Sequence, residues 1–228
     1  PALTSSRIRT AFFLSQISRA FFKKAFFGNV NPIGKRSCYE EGKRIAESLC
    51  IDYSNKYNLD IKLARIFNSY GKNMKSNDGR VIYNFILQSL KNEPITIYGD
   101  GNQERAFSCI DDCLWPMFYA CMRMEASKQI INLGGIKEYT INEACDILLK
   151  VTGTPLTKKY LEARHEAKHA WSTWEKSVKL LDFDHKIDLE EGLTKMWNWA
   201  QTQPNRKRFF WGDYELNKGI YDYWKTEK

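Results

Sequence analysis

Cys38-Tyr39-Glu40-Glu41-Gly42-Lys43-Arg44-Ile45-Ala46-Glu47-Ser48-Leu49-Cys50-Ile51-Asp52-Tyr53-Ser54-Asn55-Lys56-Tyr57-Asn58, followed by Ile61-Lys62-Leu63-Ala64-Arg65-Ile66-Phe67, is the stretch that decides the fold. Ile45, Leu49 and Tyr53 recur along one helical stripe, and the run from Ile61 to Phe67 is a short apolar segment of the kind a buried strand needs. A helix feeding a strand predicts an α/β sheet. Working outward, the pattern predicts helices over residues 81–91 and from near Asp112, and strands over 94–98 and 129–133. Thr140 with Glu143 forms a capping-box sequence for a helix ending before Gly153, and Asp188 with Glu191 repeats it for a helix stopped by Pro204.

The 228 residues are 43% hydrophobic and 14% aromatic, which suits one moderate core or two small ones and excludes a disordered chain. Charges interrupt every apolar run before it reaches membrane-spanning length, so no membrane span is expected. Lys and Arg number 35 against 27 Asp and Glu, giving +8, but seven of the bases (Arg7, Arg9, Arg19, Lys23, Lys24, Lys35, Arg36) lie before residue 40 with no acid among them. The body is therefore balanced, which argues against a nucleic-acid-binding surface. Six cysteines without a C-x-x-C pair read as reduced, mostly buried thiols, and a cytoplasmic setting is expected. Three regions follow: a basic, Phe-rich arm over 1–36, a body over 37–204, and an aromatic tail over 205–228. Within the arm, Leu14, Ile17, Phe21 and Ala25 fall at helical spacing, which fits either an amphipathic helix or a divergent remnant of the fold whose aromatics belong in a core. The first residue is Pro1, not Met, so the true start is expected to lie elsewhere.

Tyr39 and Lys43 stand one helical turn apart on the same face, where an ammonium lowers the pKa of a phenol and makes it a base. The spacing alone is weak, since Tyr214 with Lys218 and Tyr221 with Lys225 share it. Context separates the first pair. The segments Gly28-Asn29-Val30-Asn31-Pro32-Ile33-Gly34 through Glu47, Ala64-Arg65-Ile66-Phe67-Asn68-Ser69-Tyr70-Gly71, Asp78-Gly79-Arg80-Val81 with Asn84-Phe85-Ile86, Ile95 through Phe107, and Asp111-Asp112 occur in that order. Together they resemble the extended short-chain dehydrogenase/reductases (SDRs) acting on nucleotide sugars, the NAD-dependent epimerase/dehydratase family. Within it they are most similar to UDP-glucuronate decarboxylases, whereas Gln129 to Gly135 and Leu189 to Trp197 look more like UDP-glucose 4-epimerases.

The resemblance implies a partial Rossmann-like fold with a small α/β substrate domain, NAD as cofactor and a UDP-sugar as substrate. Tyr39 would take the sugar 4-hydroxyl proton, and Lys43 would hold the nicotinamide ribose; Ser5 is the candidate for the hydroxyl that assists Tyr39. Asn68, Asn84 and Arg105 are implied on the substrate side, Arg105 and Asn68 toward the diphosphate, with Tyr98 against the uracil and Arg164 as a second phosphate arginine. The Tyr39–Lys43 helix is implied to pair two copies of the chain. A 4-keto sugar would lose its C5 carboxylate as CO2 in a decarboxylase; in a 4-epimerase it would rotate before reduction. None of the 13 glycines forms G-x-x-G-x-x-G, so the first dinucleotide-binding half is lacking, and a catalytically inactive fragment that binds or dimerises stays open. Ser6-Arg7 does not supply the acid pair of a 4,6-dehydratase. The sequence His165-Glu166-Ala167-Lys168-His169 is a literal H-E-x-x-H, but it falls where the family has a strand, and no metal site is expected.

Overall fold

A computed structural model describes residues 12–14, 32–34, 37–74, 79–164, 166–170 and 172–204. Three parallel strands, β1 (Phe12–Leu14), β2 (Lys62–Ile66) and β7 (Ile130–Leu133), form one sheet in the order β1-β2-β7. Phe12 pairs with Lys62, and Leu63 with Ile130. Parallel neighbours need crossovers. Helix α1 (Ser37–Tyr57) lies between β1 and β2 in the chain; α3 (Ile110–Met122) lies between β2 and β7. Leu63, Ala64, Ile66, Ile131 and Leu133 are buried, as expected of strands covered on both faces. Ile66, Leu133, Cys113 of α3 and Phe183 make one small core; Ile131, Ala120 and Ala126 make another with Leu181 of α5 (Glu175–Leu181).

The larger core lies in the second part of the chain. There α2 (Val81–Leu90), β4 (Ile95–Tyr98), α4 (Ile141–Thr152) and α6 (Leu189–Gln201) bury Ile82, Phe85, Ile86, Ile95, Ile97, Leu148, Leu193 and Met196 together. Strand β4 alternates, Ile95 and Ile97 inward and Thr96 and Tyr98 only half-buried, so Tyr98 faces away from the core. Around it are short strands: β3 (Ser69–Tyr70) beside β6 (Ser108–Cys109), β9 (Lys158–Leu161) beside β4, and β5 (Glu104–Ala106) between β8 (Glu138–Thr140) and β10 (His169–Ala170). The Thr140–Glu143 capping box is formed in full, and Gly153 closes α4 at φ 65°, a conformation glycine adopts without strain.

Two expectations, the helical arm and the second capping box, are revised. Phe12–Leu14 is a strand, so no helix runs unbroken from 7 to 27; the rest of that stretch lies outside the described residues, as does the tail over 205–228. Asp188 caps α6 through the Glu191 amide, but Glu191 pairs with Lys195 at 2.8 Å, so only half of the second capping box exists. Glu166 and Ala167 are irregular and His169 is in a strand, so H-E-x-x-H has no helix to set two imidazoles on one face. The Ile45, Leu49, Tyr53 stripe of α1 faces outward with Tyr57, while Glu47 and Ser54 are the residues buried. Ser54 Oγ donates to the Leu59 carbonyl at 2.8 Å. Glu47 accepts from Arg65 of β2, Nε at 2.9 Å and Nη2 at 2.6 Å, a bidentate pair with both side chains mostly buried.

All six cysteines are unpaired, three of them buried. Burial pushes the Cys113 thiol up to about 12, with the nearby Asp112 charge acting the same way. Such a thiol is protonated at neutral pH and behaves as a small apolar side chain.

Candidate functional site

The parallel strands deliver their C-terminal ends to one side of the fold, where α2 and the β4–β5 segment enclose a cavity of about 310 Å³. Such a position, past the carboxyl ends of parallel strands, is the usual place for a ligand in an open α/β sheet. Its wall includes Tyr39, Asn68, Asn84, Tyr98, Arg105 and Arg164, six of the residues singled out from the sequence. They come from α1, the residue pair after β2, α2, the end of β4, β5 and the segment after β9. Ser5 lies outside the described residues.

Three phenols line the cavity, and their surroundings separate them. Tyr70 is buried; desolvation, then the Cys109, Tyr139, Asp188 and Asp112 charges, push its phenol far above the ordinary tyrosine range. It stays protonated and donates toward the Asp188 carbonyl at 3.5 Å. Tyr98 is stacked by Arg164, whose guanidinium carbon lies 3.4 Å from the ring centroid. Tyr39 is 40% exposed at the cavity edge, with Lys43 Nζ 5.7 Å from its ring centroid. Of the three, Tyr39 is the most exposed and has a cation on its own helix face.

Asn68 leaves β2 with φ 40°, a left-handed conformation asparagine tolerates better than most residues. Its Nδ2 donates to the carbonyls of Ala106 and Ala170, both at 3.3 Å, and so ties the end of β2 to β5 and β10. Asn84 donates to the Gly79 carbonyl at 3.1 Å. Arg105 is 8% exposed and donates from Nη1 to the Glu104 carbonyl at 2.7 Å. From Nη2 it donates to Glu166 Oε2 at 2.6 Å. Sequence reasoning passed over the wall residues Tyr70, Arg80, Gln103 and Glu166, of which Arg80 donates to the Ser69 carbonyl at 3.2 Å. Arg80 sat inside a quoted motif. Glu166 was visible only as part of the H-E-x-x-H run.

Among the described residues no helix is long and apolar enough to cross a membrane, and no cluster of three or more His, Cys, Asp or Glu is arranged to hold a metal ion.

Residues 24–134 match the family described as NAD dependent epimerase/dehydratase. UDP-glucuronic acid decarboxylase 1 of Danio rerio is 39% identical over 171 residues, which are 75% of this chain and 40% of that protein. UDP-glucuronic acid decarboxylase 1 of Arabidopsis thaliana is 38% identical over 178 residues, again covering 40% of that protein. The chain thus spans 40% of the length of these curated relatives. UDP-glucuronic acid 4-epimerase from Bacillus cereus, solved with UDP-glucuronic acid and NAD, is 28% identical with TM-score 0.73, over 85% of this chain and 62% of that one. UDP-N-acetylglucosamine 4-epimerase from Methanobrevibacter ruminantium M1, solved with UDP-N-acetylmuramic acid, is 25% identical with TM-score 0.75, over 86% and 64%. By sequence, residues 24–134 match the NAD dependent epimerase/dehydratase family, and by fold the chain has the Rossmann-like extended SDR architecture of its structural neighbours.

Proposed function

We propose that the chain is the substrate-side part of an NAD-dependent nucleotide-sugar enzyme, a UDP-glucuronate decarboxylase that forms UDP-xylose. The observation that supports it is the convergence of Tyr39, Asn68, Asn84, Tyr98, Arg105 and Arg164, drawn from five separated stretches of sequence, on one cavity. Arginines suit a diphosphate, which they bind through paired N–H donors, and Tyr98 offers a flat face to a pyrimidine. Tyr39 is the base that removes the 4-hydroxyl proton, and Lys43 steadies the phenolate. Loss of CO2 from C5 then follows from the β-keto acid that a 4-keto glucuronate is.

The Tyr39–Lys43 pair fits the nicotinamide end of NAD, Lys43 offering an ammonium to the ribose from the helix face that carries the base. NAD, when bound, supplies the hydride acceptor for C4 and later returns the hydride. A glycine-rich partner for its pyrophosphate is not found in the 228-residue sequence, so the activity test uses this chain together with the NAD-binding half of a relative. From UDP-glucuronate the expected products are CO2 and UDP-xylose. UDP-galacturonate without CO2 would replace this with the second reading, 4-epimerisation, which the 4-epimerase structures favour. No product from either route would leave the binding-only fragment.

Two copies are proposed to pair through α1, and the reading includes a cytoplasmic location, consistent with three buried thiols. Support for pairing is the exposed stripe of Ile45, Leu49, Tyr53 and Tyr57, a continuous apolar face of the kind that marks an interface. Leu49→Glu is expected to convert a sedimenting dimer to a monomer; a wild-type chain that sediments as a monomer sinks the idea.

A further inference from the structure

Helices α1 and α3 cover opposite faces of β2. Arg65 reaches Glu47 of α1, whereas the next residue, Ile66, packs with Cys113 of α3, and successive strand residues point to opposite sides. The side of α3 turned away from the sheet is apolar: Leu114 is 54% exposed, Trp115 64%, Phe118 51% and Met122 57%. Their spacing sets them on one stripe of the helix. The rings there form a fixed cluster. Trp115 meets Phe118 edge-on, with centroids 5.9 Å apart, and lies 6.1 Å from Tyr119, which packs inward on the core of Ala120, Ala126, Ile131 and Leu181. The Arg123 guanidinium stacks on Tyr119, its carbon 4.2 Å from the ring centroid. The helix thus carries acid at its start, in Asp111 and Asp112, and a base at its end, in Arg123.

We propose that this face of α3 binds the same face of a second copy of the chain, the two helices running antiparallel about a two-fold axis that passes between Trp115 and Phe118. A two-fold joins a surface to itself, so the patch has to complement its own reversed image. The α3 face does so. Reversal brings the Asp111 end of one copy to the Arg123 end of the other, sets Trp115 against Phe118, and opposes the two helix macrodipoles. A parallel pairing would instead set Asp111 against Asp111. Aromatic residues and Met are the types enriched where interfaces bury their centre, and rings already fixed in the single chain lose little freedom on docking. This pairing stands apart from the nucleotide-sugar reading. Because α1 and α3 cover opposite faces of β2, it is also a different surface from the α1 stripe, and the two pairings together build an assembly of four copies.

Sedimentation over a concentration series tests this on the full chain, on Trp115→Glu, on Leu49→Glu and on their combination, with circular dichroism melts to show that each protein is folded. Phe118→Glu replaces Trp115→Glu should the latter not fold. The wild type is expected as four copies, each single variant as two and the combined variant as one. A wild-type assembly that Trp115→Glu leaves intact overturns the α3 pairing. With a wild type of two copies, dissociation by Trp115→Glu and not by Leu49→Glu supports the α3 pairing and overturns the one through α1; the converse overturns the α3 pairing. A wild type of one copy overturns both and leaves the patch to a different protein. In the Leu49→Glu background, where α3 is the remaining interface, Asp111→Lys is expected to weaken association about tenfold at low ionic strength and less as salt is added. No loss at low ionic strength overturns the antiparallel arrangement.

Discussion

Tyr39→Phe, assayed with the NAD-binding half supplied, is expected to lower kcat about a thousandfold and to leave sugar-nucleotide affinity nearly unchanged. The variant keeps the ring on the cavity wall and removes only the oxygen. Tyr39 is the cavity phenol with Lys43 on its helix face, and Tyr70, held protonated by burial, is not able to take over as base. Tyr70→Phe is the matched control: it deletes an equally nearby phenol and is expected to retain turnover. Wild-type kcat in Tyr39→Phe would remove Tyr39 from the mechanism, and a rise in KM with kcat unchanged would make it a binding residue instead.

The second large effect concerns the helix that carries Tyr39. Helix α1 turns its apolar stripe outward and is held from within by polar contacts, chiefly the bidentate pair between Glu47 and Arg65. Breaking a mostly buried pair by removing one partner strands a charge, which costs about 3 kcal/mol, whereas replacing both partners by apolar residues is often near neutral. Glu47→Ala and Arg65→Ala are each expected to lower Tm by about 8 °C in a chain of this size. Glu47→Leu combined with Arg65→Met is expected to recover most of that loss. Thermal unfolding of the three variants decides it. Full losses that simply add in the double variant would show that the pair acts through packing volume and not through a stranded charge.

The elements legible in the sequence were those with local signals. The Thr140–Glu143 box and Gly153 fixed α4, and the apolar run before Asn68 fixed β2, because caps and periodicity act over a few residues. Strands β5, β8 and β10 carry two or three residues each, and their existence depends on partners far along the chain: Arg105 pairs with Tyr139 on one side and with Ala170 on the other. No window of sequence contains that information. The stripe on α1 was read with the right period, but periodicity does not say which way a stripe faces, and here Glu47 and Ser54 took the inner side. In the site, ordered motifs pointed to Tyr39, Asn68, Tyr98 and Arg105, whereas Glu166 gained its position from a mismatch between two ladders: Ile95 faces Lys158, 63 residues further on, and Glu104 faces His169, 65 residues further on.

That mismatch also makes loop length a quantity on which natural variation can act. Deleting two residues between Leu161 and His169 would equalise that connection with the one from Tyr98 to Glu104 while leaving both strand pairings in register, and such deletions in surface loops are among the least disruptive changes a fold accepts. The change would fall on the cavity wall, where Arg164 and Glu166 stand within that connection, with Arg105, Tyr98 and Tyr39 left in place.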